Sequence, residues 1–281
     1  MLWFMVAIVS MAASVLGAQP KSNNYQQLLG EGIQLQKEGH YADAATAYAG
    51  ALSEVERQLG PEHIAAAQIL INIGTLRTLQ HDDSGAKAAF ERSLAITEKK
   101  FGKEHLQVGF TLLTIAMLTH KQGRYAAAEP LYRRALTILE TKLGPEHERT
   151  VFLKASMAKL YLAQRRNSEA EALLEKAIPV LEKAGAPDEA TLVVALADLA
   201  EAYRRDGRYA KAEPVFAHML AIVKEKPADM TDDIRTGLAD YVQMLRKMKP
   251  QGAGPRARPA AQSHAAEVIR TRRRRLTPRN P

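Results

Sequence analysis

His63, His105 and His147 stand 42 residues apart, in the stretches "LGPEH", "FGKEH" and "LGPEH". Imidazole nitrogens ligate zinc and move protons near neutral pH, so the triple invites a metal or acid–base reading. A tetrahedral shell needs its ligands gathered within about 2 Å of one ion. Residues that each open a different copy of a 42-residue unit are held roughly one unit apart, so these histidines read as turn residues. Tyr48, Phe90, Tyr132 and Phe216 follow the same period and could pass for a platform on which bases stack. Their strict spacing reads instead as the buried stripe of successive helices. There is no G-x-S-x-G, no P-loop and no dinucleotide fingerprint, and no histidine pairs with an acid at the spacing of a helical zinc site. Asp and Glu are spread over helix surfaces in mixed sign. Neither a catalytic constellation nor a cofactor or metal site is expected.

Rows of 42 residues define the elements that carry these positions. Residues 44, 86, 128, 170 and 212 are all alanine. Four further on, 48, 90, 132, 174 and 216 read Tyr, Phe, Tyr, Leu, Phe, and 52, 94, 136, 178 and 220 read Leu, Leu, Leu, Ile, Leu. Steps of four place these on one stripe of a second helix. A first helix shows in the column 28, 70, 112, 154, 196 (Leu, Leu, Leu, Lys, Leu) and in Gly32, Gly74, Ala116, Ala158 and Ala200, always small. A small residue lets two antiparallel helices approach closely, so each unit is a helical hairpin.

Gly39, Gly123 and Gly207, in "EGHY", "QGRY" and "DGRY", mark the ends of first helices, where glycine accepts a left-handed conformation. In "LGPEH" the glycine ends a helix, the proline forbids its continuation and the acid is expected at the start of the next. One hairpin cannot bury enough apolar surface to offset its ordering entropy, so neighbours must cover it. Five units are expected at about 24–58, 64–100, 106–142, 148–183 and 190–225, followed by an amphipathic capping helix at about 231–248.

The columns resemble the tetratricopeptide repeat. The third unit, "LLTIAMLTHKQGRYAAAEPLYRRALTILETKLGPEH", is similar to the kinesin light chain type, with its 42-residue period, "AEPLYRRAL" and "LGPEH". The resemblance implies an all-α fold, a right-handed α-solenoid of about five hairpins over residues 24–248. It also implies a groove, lined by first helices, that holds a partner segment. Kinesin light chain repeats often place asparagine in that groove; here Asn72 keeps it, and the equivalent positions are Gly30, Thr114, Ser156 and Asp198. By the same register Thr75, Met117, Lys159 and Glu201 face the groove, then Thr78, His120 and Arg204, with Lys121 and Arg205 beside them. The later rows are the more charged, so polar contacts to a partner are expected to concentrate there.

Residues 1–18, "MLWFMVAIVSMAASVLGA", carry no charge and end in small side chains, as a secretory segment cleaved after Ala18 would. About 18 apolar residues is also the lower limit of a membrane span, so an uncleaved inner-membrane anchor is the rival reading, with a misassigned start as a third. Either of the first two puts the body outside the cytoplasm, periplasmic or secreted. Cysteine is absent, which removes disulfides, thiolate metal sites and cysteine nucleophiles together. The net charge of +8 is local: residues 250–281 hold eight arginines against Glu267, leaving +1 on the other 249 residues. That stretch, 249–281, lacks apolar payload and is expected to be a disordered tail. Its run Arg270, Arg272, Arg273, Arg274 and Arg275 suits an anionic surface; export argues against nucleic acid. The reading is a non-catalytic, exported binding scaffold for a protein or peptide partner. The alternative is an envelope-surface or polyanion binder that uses the tail.

Overall fold

The computed structural model describes residues 24–184 and 189–225 and, singly, Thr236, Gly237, Ala239 and Gln243. The described residues form ten α-helices and no strand. In chain order these are α1 (Asn24–Glu38), α2 (Tyr41–Leu59), α3 (Ile64–Leu79), α4 (Asp83–Phe101) and α5 (Leu106–Lys121), then α6 (Tyr125–Leu143), α7 (Glu148–Ala163), α8 (Asn167–Ala184), α9 (Glu189–Arg205) and α10 (Tyr209–Glu225). Two compact bodies divide at Ile138 and Leu139.

In the first body the small first-helix column is what lets the hairpins close. A Cβ on Gly32 would stand 2.6 Å from the Tyr48 ring, and one on Gly74 would stand 2.3 Å from Cε1 of Phe90. The aromatic rings thus lie on the first helix's bare backbone. Ala44, Ala86 and Ala128 are fully buried at the second-helix contact. Successive hairpins share their apolar faces: Ala51 and Val55 of α2 cluster with Ala66, Ala67, Ile69 and Leu70 of α3 and with Ala89 and Ile96 of α4. Phe90 and Ala86 of α4 then meet Ile115 and Leu118 of α5. In the second body α7 pairs with α8 and α9 with α10, and α8 packs on α9. There Ala158 and Ala200 fill the small column, while Leu174 and Phe216 are buried at the ring position. Helical Gly237 is also buried, and a Cβ on it would stand 2.9 Å from the Ala197 Cβ of α9 and 3.4 Å from Met219 Sδ of α10; most of the expected 231–248 helix lies outside the described residues.

The expected stripe 44, 48, 52 needs correction. In that column Ile178 and Leu220 are buried as expected but Leu52, Leu94 and Leu136 are only half-buried, whereas Ala51, Ser93, Ala135, Ala177 and Met219 are buried in every hairpin, followed by Val55, Thr97, Leu139, Leu181 and Val223. At 3.6 residues per turn a step of seven falls about 20° from the starting direction, and a step of eight about 80°. The buried face therefore runs through steps of four, three and four.

Within each hairpin the turn is closed by one repeated bond. The N–H of His40, Asp82, Arg124, Arg166 and Arg208 donates to the carbonyl five residues back, at 2.9–3.2 Å. This six-to-one bond requires a left-handed residue just before it. Gly39, Gly123 and Gly207 supply it with φ of 86°, 75° and 72°, as expected; His81 and Arg165 occupy the same spot with φ of 60° and 61°. Side chains in that conformation cost about 1–2 kcal/mol, against about 0.5–1 kcal/mol of extra backbone entropy for glycine.

Lys154 stands in the column where the other four hairpins have leucine. Its side chain is 6% exposed, pairs with Glu140 at 2.9 Å and donates to the Pro145 carbonyl at 3.0 Å. In the first body the equivalent carboxylates are reached from the surface, Glu56 by Arg92 at 2.6 Å and Glu98 by Arg134 at 2.5 Å.

Three outcomes follow from this packing, each read by urea unfolding. Gly74→Ala lowers stability by about 1–3 kcal/mol through overpacking against Phe90, and adding Phe90→Leu, the combination seen at Ala158 and Leu174, recovers most of it. Arg165→Gly and His81→Gly each raise stability, by about 0.5–1 kcal/mol. Lys154→Leu leaves stability unchanged or higher by about 1 kcal/mol, because Glu140 can turn to water, while Glu140→Ala lowers it by about 1–3 kcal/mol by stranding a buried ammonium.

Candidate functional site

The three recurring histidines are helix caps. Nδ1 of His63, His105 and His147 accepts the N–H of Ala65, Gln107 and Arg149 at 3.2, 3.1 and 3.1 Å, at the starts of α3, α5 and α7. Gly60, Gly102 and Gly144 precede them with φ of 92°, 88° and 93°. The acid of "LGPEH", expected to open the helix, lies two residues before it, outside the capping histidine; Glu62 reaches Lys99 instead, at 2.5 Å. No cluster of three metal-binding side chains occurs among the described residues. The sequence signal for capping was the position itself, one residue before each apolar run, but histidine is not among the favoured cap residues.

Buried tyrosines are likewise structural. The Tyr48 hydroxyl donates to Gln36 Oε1 at 2.9 Å, and burial raises the pKa of Tyr48 and of Tyr132. Tyr203 donates to Glu175 at 3.0 Å and is pushed up to about 12, first by burial and then by that carboxylate. Arg208 covers the Tyr203 ring at 4.7 Å and holds Glu171 at 2.6 Å, which lowers the Glu171 pKa. The Tyr48 and Tyr203 hydroxyls, Glu171 and Arg208 are thus each engaged with a neighbouring side chain.

The first-helix positions named from the register differ from these columns. Asn72 and Thr75 on α3, and Thr114, Met117 and His120 on α5, are half-buried, and Lys121 is exposed. Threonine hydroxyls here turn back on their own helix: Thr75 donates to Ile71 O, Thr78 to Gly74 O and Thr114 to Phe110 O, at 2.8–3.0 Å. The Asn72 amide is different, since Nδ2 is shielded from water and meets no acceptor among the described residues. His120 is drawn toward its own hairpin, edge-on to Tyr125 at 5.5 Å and to Tyr132 at 6.3 Å.

In the second body Ser156, Lys159, Asp198, Glu201 and Arg204 are half-buried and Arg205 is exposed. The charges meet one another. Glu201 accepts from Arg204 Nε at 2.6 Å and from Arg205 Nε at 2.5 Å, and Arg205 also donates to Leu162 O at 2.6 Å. Arg270 and Arg272–Arg275, together with residues 1–18, lie outside the described residues.

Paired helices on a 42-residue period, with half-buried polar positions on the first helix of each pair, define a helical-repeat protein. The tetratricopeptide repeat family profile matches residues 27–99, 85–141, 107–183 and 150–225, and the chain belongs to that family. Its members generally act as protein–protein interaction scaffolds. Among solved structures the chain is similar to the nearly identical TPR-like repeats of a Podosopora anserina kinesin light chain, with 19% identity over 74% of this chain and 99% of that one and a TM-score of 0.62. It is also similar to BtubC (BKLC) from P. vanneervenii, with 20% identity over 74% and 82% and a TM-score of 0.64. The apo form of RapI aligns with 13% identity over 89% and 97%, at a TM-score of 0.61. No curated protein matches the sequence.

Proposed function

We propose that the chain is an exported, non-catalytic scaffold that holds a segment of a protein partner against its first-helix faces. The observation that carries this reading is Asn72. The residue is half-buried on a first-helix face while its Nδ2 is shielded and unmatched, so turning outward to a partner's backbone carbonyl would gain a bond and break none. Export rests on the uncharged stretch 1–18 and its small-residue end.

The test is site-specific photocrosslinking in the native cells. A benzoylphenylalanine at Asn72 or Thr114 is expected to capture one partner that the same probe at Lys87 or Thr137, on exposed second-helix faces, does not. Equal capture at both sets removes the reading. N-terminal sequencing of the same sample is expected to begin at Gln19. The second reading, an anionic-surface binder, is favoured by the arginine run at 270–275. Deleting 250–281 separates the two, because a groove partner stays bound whereas surface attachment and its salt dependence are lost.

A further inference from the structure

Three of the inter-hairpin junctions depend on an acceptor that acid removes. At the starts of α3, α5 and α7 the capping atom is the same, Nδ1 of His63, His105 and His147, and the bond is the same, to the N–H two residues on. A neutral imidazole accepts at one nitrogen only, and adding a proton there turns the acceptor into a donor facing another donor. The chain caps α4 differently: the Asp82 carboxylate accepts from Gly85 N at 2.9 Å, and that bond with Arg77 nearby lowers the Asp82 pKa. A carboxylate or amide would therefore have served at every junction, yet histidine stands at all three.

We propose that the three histidine caps form an acid-sensitive device in which protonation at Nδ1 frees the first N–H groups of α3, α5 and α7 and loosens the hairpin junctions together. The groups around each ring are mixed. His63 is partly buried between the end of α2 and α4, and Lys100 on α4 faces it; Glu62 beside it is taken by Lys99, and Arg92 donates to Pro61 O and pairs with Glu56 of α2. The His105 ring stacks on Phe101 of α4 at 4.8 Å; Glu104 precedes it in sequence, and Arg134 of α6 donates to the Lys103 carbonyl of the same turn at 2.9 Å. His147 is flanked by Glu146, Glu148 and Arg149, and Lys154 with Glu140 lies at the Pro145 carbonyl of the same turn.

The sign follows from His63, whose burial first and Lys100 second lower its pKa. The unfolded chain then binds the proton before the folded one, so the stability from this cap is complete above the ordinary imidazole range, about 6.5, and is lost as pH falls through the folded value. The proposal rests on the caps alone and stands whether or not the groove reading does.

The experiment is thermal unfolding of the full chain from pH 7.5 to 5.5, wild type against the triple variant His63→Asn, His105→Asn, His147→Asn. Asparagine caps well and does not titrate. The other five histidines are common to both chains, so their effects cancel. At the usual strength of a helix cap, losing the His63 cap moves Tm by about 2–4 °C in a chain of this size, so the wild type is expected to fall by at least that much more than the variant. Parallel curves, within about 1 °C, overturn the proposal. Should the triple variant fail to fold, NMR of the wild type decides. The amide protons of Ala65, Gln107 and Arg149 are expected to shift with the imidazole titrations, and amides that stay still while the rings titrate overturn it.

Discussion

Closure of each hairpin depends on how near the second helix's large side chain can come to the first helix's backbone. At Gly32 and Gly74 the rings of Tyr48 and Phe90 occupy the very volume a Cβ would take. That contact sets the interhelical distance, and with it the depth at which the fully buried alanines 44 and 86 sit. From there the third hairpin onward substitutes alanine, and one hairpin replaces the ring with Leu174, so the same architecture is reached with a different division of volume. Cores tolerate such exchanges when total volume is kept.

The turns supply what packing alone does not, a fixed path for the backbone from one helix to the next. Five six-to-one bonds close the hairpins, and in three inter-hairpin turns a positive-φ glycine stands three residues before a histidine cap. Backbone groups at helix ends must find partners when they are shielded from water, and here the same few atoms do it in copy after copy. Repetition of the letters follows from repetition of that demand. Where a letter changes, the conformation persists: His81 and Arg165 hold the left-handed position without glycine's freedom, because the bond that follows them is still made.

The ten helices of the described residues, their hairpin boundaries and the small column were legible in the sequence because each is written five times, and the aromatic column because it is written four times and broken only at Leu174. What was not legible depended on three-dimensional partners. Leu52 looked equivalent to Tyr48 on a ladder of fours, but the helix turns by about 100° per residue and hands the buried place to Ala51. Lys154 stands in a leucine column, and nothing in the sequence pattern marks the partners it reaches, Glu140 and the Pro145 carbonyl. His63 read as a turn residue, which it is, yet its donor lies in the backbone two residues on and leaves no mark in side-chain pattern. The register placed Arg204, Arg205 and Glu201 on one face without telling that they would satisfy each other.

That last pairing bears on how a partner could gain affinity. In the second body Glu201 already accepts from two guanidinium groups, and one of them is further tied to Leu162 O. An incoming carboxylate would have to compete for arginines that are partly desolvated and partnered, exchanging one ion pair for another at little net gain. A neutral segment faces no such exchange in the first body, where Thr75 and Thr114 have spent their hydroxyl protons on their own helix and present methyl groups and hydroxyl oxygens. On the groove reading, the Asn72 amide would break no existing bond in turning outward to meet a backbone carbonyl. On the groove reading, the paired charges of the later repeats would therefore add little affinity for a charged segment, and the neutral stretch around Asn72 would be where binding energy is gained.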